Sequence, residues 1–134
     1  VAGIVSHVEL VSAVGLYNFK TRFVDQILNA RKTHTIRGTR KRADRPGNTM
    51  HLYTGLRQKN AQRLMRAPCV RVDAISISVH HEVTLGDELL SNDECDALAQ
   101  RDGFASFADM MEFWHGRLPF EGHVYHWDPA QRVK

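Results

Sequence analysis

The chain of 134 residues is 43% hydrophobic and 25% charged, the make-up of an ordinary globular domain, and its length suits one domain with one core. No apolar run approaches the roughly 20 residues that span a bilayer. Residues 1–16 carry Ser6, His7, Glu9 and Ser12 and lack a basic start, so they do not have the form of a secretory signal, and a cytoplasmic protein without membrane contact is the expectation.

The net charge of +3 conceals a segregated chain. Residues 20–71 hold 14 lysines and arginines against two acids, whereas residues 72–134 hold four against 12. Such asymmetry points to a basic face that meets a polyanion. The competing reading is that folding interleaves the two halves into common surface ion pairs. Cys69 and Cys95 lie in apolar contexts outside any C-x-x-C motif and read as buried reduced thiols.

In chain order, residues 16–20 read as a short strand, and Thr21 is placed to cap a helix that runs to Arg31 with Phe23, Val24, Ile27 and Leu28 on one face. Residues 33–37 are rich in β-branched side chains and read as a strand. The basic stretch 38–48 reads as a flexible loop that does not pack, closed by the Pro46-Gly47 turn. A strand over 49–54 follows, then a short basic helix over 58–66 and a long strand over 70–79 with Ile75, Ile77 and Val79 on its buried face. Ser91 and Glu94 form the S-x-x-E pattern of a capping box, opening a helix that buries Cys95, Leu98 and Ala99 and stops at Asp102-Gly103. Ser106 caps a second helix carrying Phe107, Met110, Met111 and Trp114, and residues 121–127 close the chain as a strand. Strands and helices in this order indicate an α+β domain, a small curled sheet or barrel with peripheral helices.

The junction A-R-K-T-H-T-I-R at 30–37 carries the chemistry. Strand alternation puts Thr33, Thr35 and Arg37 on one face, and His34 and Ile36 on the other. Arg37 can fork onto a phosphate or carbonyl oxygen, while Lys32, partly desolvated among cations, can act as a base. A helix end decorated with bases for its dipole, leading to a solvated strand, accounts for the same residues without a site.

These residues resemble the G-x-K-x-x-[ET]-x-R motif of ASCH domains, small barrels of the PUA-like superfamily, with Lys32, Thr35 and Arg37 matching and Ala30 in place of the glycine. The segment 23–37 is similar to that of bacterial N4-acetylcytidine amidohydrolases, and P-G-N at 46–48, L-Y-T-G at 52–55 and D-G-F at 102–104 extend the resemblance over about 16–127 of a single domain, 1–134. The resemblance implies a PUA-like β-barrel with Lys32 as base, Thr35 as nucleophile and Asp102 where the family has a glutamate. Asp102 is one methylene shorter than that glutamate, and displacements of ~1 Å cost on the order of 10²-fold in rate. The basic segment 55–66 is also additional to the small amidohydrolases.

The expected function is a hydrolase of acylated cytidine. The alternatives are a metal-independent endoribonuclease on single-stranded RNA and a non-catalytic RNA-binding module. Arg37, Tyr53 and Thr54 are the candidate substrate contacts, and Arg31, Arg40, Lys41, Arg42, Arg57, Lys59 and Arg63 the candidate RNA contacts. Tyr53, Tyr125 and Trp127 could stack on bases, although half-buried strand aromatics look the same. His80-His81 and His123/His126 point to opposite faces of strands, so no metal and no cofactor is expected. Nothing in the sequence specifies an oligomeric state.

Overall fold

The computed structural model describes residues 15–133, so the reading of residues 1–14 lies outside the described residues. Seven strands form one sheet: β1 (Leu16–Phe19), β2 (His34–Gly38), β3 (Thr49–Thr54), β4 (Gln62–Ile77), β5 (Val83–Leu85), β6 (Glu88–Leu89) and β7 (Phe120–Trp127). Among the described residues three α-helices accompany them: α1 (Val24–Leu28), α2 (Asn92–Arg101) and α3 (Phe107–Phe113).

The 16-residue strand β4 is the spine. Its first half pairs antiparallel with β3, its second half with β7, and its last residues also with β5. β1 joins β3 in parallel, and β2 joins β7 antiparallel. Register shifts at Leu52/Tyr53 and between Cys69 and Arg71 bend these ladders, as bulges do, so the sheet curls around one core. Tyr17, Ile27, Met50, Leu52, Val124 and Tyr125 lie at its centre without solvent contact. Both cysteines are buried and unpaired.

The sheet does not close into a barrel, contrary to the expectation. Its end strands β1 and β2 make no backbone ladder with each other. Arginine side chains bridge them instead: Arg37 Nη2 donates to the Asn18 carbonyl (2.8 Å) and Arg40 Nη2 to the Leu16 carbonyl (2.9 Å). These carbonyls, two residues apart, share one strand edge that would otherwise lack donors.

The capping box of α2 forms as its sequence indicates, with Glu94 N–H donating to Ser91 Oγ and Ser91 N–H to Glu94 Oε1. Ser106 likewise accepts from Asp109 N–H at the start of α3. Other expectations change. The helix read over 21–31 is a 3₁₀ turn, Thr21–Phe23, followed by α1 alone, and the Thr21 hydroxyl caps nothing. The chain leaves the helix through Asn29 and Ala30, whose φ of 66° is left-handed.

No helix forms over 58–66. Residues up to Ala61 turn, and β4 starts at Gln62, where pairing with β3 overrides the helical preference of Gln, Arg, Leu and Met. At its other end β4 stops at Ile77, and residues 78–81 form a turn in which His81 has φ 66°. His80 and His81 therefore lie on no strand.

The loop 38–48 packs rather than floating free. Asp44 is buried and accepts from the Tyr17 hydroxyl (2.5 Å), and the Arg40 guanidinium lies 4.3 Å from the Tyr17 ring centroid. Gly47 and Asn48 exchange backbone hydrogen bonds with Cys69.

Two stability predictions follow from this geometry. Ala30→Gly relieves a left-handed conformation that Cβ disfavours and should raise stability by about 1 kcal/mol, read as a higher urea midpoint with unchanged slope. Arg40→Ala removes a charged hydrogen bond and a cation–π contact and should cost about 2 kcal/mol, whereas Ala at the exposed Lys41 or Arg42 should shift the midpoint negligibly.

Candidate functional site

After Ala30 the chain is tied down on both sides. Lys32 N–H donates to the Gln26 carbonyl of α1, and Thr33 N–H donates to the Arg101 carbonyl at the end of α2. Lys32 thus enters the protein beside the C-terminus of α2, where the helix dipole favours a cation. Asp102 is the last capping residue of that helix, with its own N–H held by Leu98 and Ala99 carbonyls. Gly103 then turns away at φ 95°, and a Cβ there would lie 3.0 Å from the Phe23 ring and 3.2 Å from Lys32 Cδ. Only glycine satisfies both the backbone angle and the close passage of the lysine stem.

The outcome is a buried ion pair. Lys32 Nζ donates to Asp102 Oδ1 at 2.9 Å and to the Asp102 carbonyl at 2.6 Å, with the two residues only 2% and 5% exposed. Burial pulls the Lys32 ammonium below the usual lysine range and pushes the Asp102 carboxyl above the usual carboxylate range; the attraction between them offsets part of each shift. His34, fully buried, sets Nε2 3.5 Å from Asp102 Oδ1. Burial first, and then the Lys32 charge, holds its imidazole neutral. Its ring stands edge-on to His126, which bonds Asp73 at 2.9 Å.

Thr35 and Arg37 reach the same place from β2. Arg37 Nε donates to Thr35 Oγ1 at 3.0 Å, while its guanidinium lies 4.9 Å from the Phe19 ring centroid. Lys32, Thr35, Arg37 and Asp102 together border a pocket of ≈ 200 Å³ whose other walls include Phe19, Phe23, Phe104, Phe113 and Trp114, with Lys20 and Arg117 beside them. Phe23, Phe104 and Phe113 pack against one another at 5.3–5.7 Å. One acid and four cations on an aromatic wall suit a planar, polar, electron-rich ligand.

The remaining sequence candidates are dispersed. Tyr53 is not among the residues that line this pocket; Thr54 donates to the Phe19 carbonyl and borders an adjoining groove with Asn18 and Gln58. Arg31 lines a separate basic groove with Arg22 and Arg101. Lys41, Arg42, Lys59 and Arg63 are exposed, Arg63 opposite Tyr53 in the β3–β4 ladder. Arg57 and Arg40 line a notch next to Arg37. Tyr125 and Trp127 are core residues, buried against Tyr17 and Phe19. Among the described residues no three His, Cys, Asp or Glu side chains gather as metal ligands, and no helix is long and apolar enough to cross a membrane.

Phe23 and Trp114, read as core from their helical spacing, are buried in the core and also line this pocket, a second part that the spacing alone did not indicate. Sequence reasoning missed His34, placed on the opposite face from Thr35. The adjacency of Phe104 to Asp102-Gly103 was the available signal. Comparison with protein-family models, curated proteins and solved structures finds no match.

Removing one partner of the buried pair leaves a charge without compensation. Asp102→Ala should therefore cost about 3–5 kcal/mol in urea unfolding, while combining Lys32→Met with Asp102→Leu should recover most of that loss.

Proposed function

We propose that this chain is an ASCH-type, PUA-like domain whose pocket hydrolyses the amide of an acylated cytidine, the acyl group lying beside the Lys32–Asp102 pair. The observation that carries the reading is the burial of that pair against Thr35 and Arg37 in a pocket with aromatic walls. Ammonium–carboxylate and amine–carboxylic acid differ only by a proton moved across 2.9 Å, and burial favours the neutral form. That form holds a base and an acid side by side.

In this scheme the Lys32 amine takes a proton from a hydroxyl nucleophile, Thr35 or a water. The oxygen attacks the acyl carbon, and the Arg37 guanidinium, which keeps its proton, stabilises the oxyanion. Asp102 gives its proton to the departing exocyclic nitrogen as the C–N bond breaks. The pair is then ammonium and carboxylate, and the return of one proton resets it. With Thr35 as nucleophile, water releases the acyl group in a second round. The volume of ≈ 200 Å³ is below the roughly 300–1,000 Å³ of pockets that enclose drug-sized ligands, so a single ring fits and the rest of the ligand lies outside.

A second reading is favoured by one observation. Two of the three Lys32 protons are already engaged by Asp102, as in a structural pair, and a non-catalytic RNA-binding module would use the same cations only to hold its ligand.

Incubation with N4-acetylcytidine and, separately, with labelled single-stranded RNA in chelator separates these readings. Acetate release by the wild type, lost by at least 10²-fold in Thr35→Val and in Lys32→Arg, is the expected result. RNA cleavage without acetate release would replace the amidohydrolase with a ribonuclease. No turnover on either substrate would leave the binding module.

A further inference from the structure

The gap between β1 and β2 opens to solvent as a notch next to the pocket. Its walls are Leu16, Asn18, Arg37, Arg40, the turn 55–58 and, within it, Arg57. Three guanidinium groups meet here, and among the described residues no acid lines the space. The acids that act on these arginines lie elsewhere: Asp44, buried under the Tyr17 hydroxyl, attracts Arg40, and Asp102, inside the pocket, attracts Arg37. Like charges brought together repel, and two of the three side chains are held rather than allowed to splay. Arg37 is fixed by Thr35 Oγ1 and the Asn18 carbonyl, and Arg40 by the Leu16 carbonyl. The turn that carries Arg57 is fixed in its place because Leu56 N–H donates to Asn18 Oδ1 at 3.0 Å.

Each anchor uses only part of a guanidinium fork. Arg37 keeps Nη1, whereas Arg40 Nη1 is buried, so Arg40 offers the notch its charge rather than a second free donor. Donors in a planar fork match phosphate oxygens in pairs, and an arginine cluster fixed in advance binds a phosphate without first losing side-chain freedom. Asn18 and Arg37 border both this notch and the aromatic pocket, so the two cavities adjoin across a wall that these residues share. Adjoining cavities of this kind suit a base in one and the phosphate of the same nucleotide at the other.

We infer that the Arg37–Arg40–Arg57 notch is a phosphate subsite, and that the ligand of the neighbouring pocket is a phosphorylated nucleoside, as a mononucleotide or as one unit of a strand, rather than a free nucleoside. The inference rests on the pocket's being a nucleobase site, as in the proposed function, and adds the substrate's charged handle.

Calorimetric titration at low salt with cytidine, its 5′-monophosphate, its 3′-monophosphate and a cytidine-containing dinucleotide tests it. At least one phosphorylated ligand should bind about tenfold or more tighter than cytidine, and Arg57→Ala, at an exposed turn position, should reduce that ratio to within twofold. The ratio should also shrink at high salt. Preference for the dinucleotide over both monophosphates identifies a strand phosphodiester as the source; preference for a monophosphate identifies a mononucleotide. Affinities within twofold of cytidine for every phosphorylated ligand, an undiminished ratio in Arg57→Ala, or no binding by any of the four overturns the subsite. Phosphate preference in a protein that releases no acetate keeps the subsite and removes the hydrolase. Equal kcat/KM on N4-acetylcytidine and its 5′- and 3′-monophosphates keeps the hydrolase and removes the subsite.

Discussion

Taking an ammonium and a carboxylate out of water costs several kcal/mol for each ion, and only close contact with further hydrogen bonds returns that cost. The Lys32–Asp102 pair meets the condition through two donors from one nitrogen, and much of the local chain is arranged so that it can. The helix before Lys32 must end abruptly for the ammonium to turn inward, and it does so through Ala30 in a conformation that glycine adopts more readily. The helix before Asp102 must end where its last carbonyl and its carboxylate face the same cation. Gly103 must then vacate the space that the lysine stem crosses. Strain at Ala30 is tolerated because the surroundings over-determine it: Lys32 N–H and Thr33 N–H are both claimed by neighbouring helices.

Arginine plays a different part on the other side of the site. A curled sheet with two unpaired end strands would expose a row of carbonyls and invite pairing with another chain. Arg37 and Arg40 occupy the β1 edge with side-chain donors and at the same time leave their charges in the gap. A closed backbone ladder would have sealed this gap. Leaving the sheet open therefore creates the notch, and the same residues supply both the stitching and the charge.

What could be read from the sequence follows how local each determinant is. The S-x-x-E box of α2 and the Ser106 cap of α3 are written within four residues and form as read. Alternation at 33–37 sufficed to put Thr35 and Arg37 together, and they are hydrogen-bonded. Segment 62–66 reads as helix because Gln, Arg, Leu and Met prefer it, and only the distant partner β3 makes it strand. The loop 38–48 reads as free because its one buried side chain, Asp44, depends on Tyr17 27 residues earlier. The aromatic wall of the pocket escaped for the same reason. Phe19, Phe23, Phe104 and Phe113 come from four segments, and nothing in any one segment distinguishes a pocket wall from core.

Charge segregation along the sequence is resolved in space in two ways. On one flank the halves interleave: Asp102 of the acidic half pairs with Lys32, and Asp109 pairs with Arg22 at 3.2 Å. The second contact is half exposed and worth little in energy, but it holds Arg22 4.9 Å from the Phe104 ring and so fixes one side of the aromatic wall. On the other flank no acid among the described residues enters the Arg37–Arg40–Arg57 notch. Had segregation been only a compositional accident, acids from the C-terminal half would be expected on both flanks. The basic excess instead persists where the sheet is open. Exposed cations such as Arg22 and Arg71 also have acidic partners, so what sets the opening apart is that no acid among the described residues lines it, which leaves its arginines within reach of a ligand.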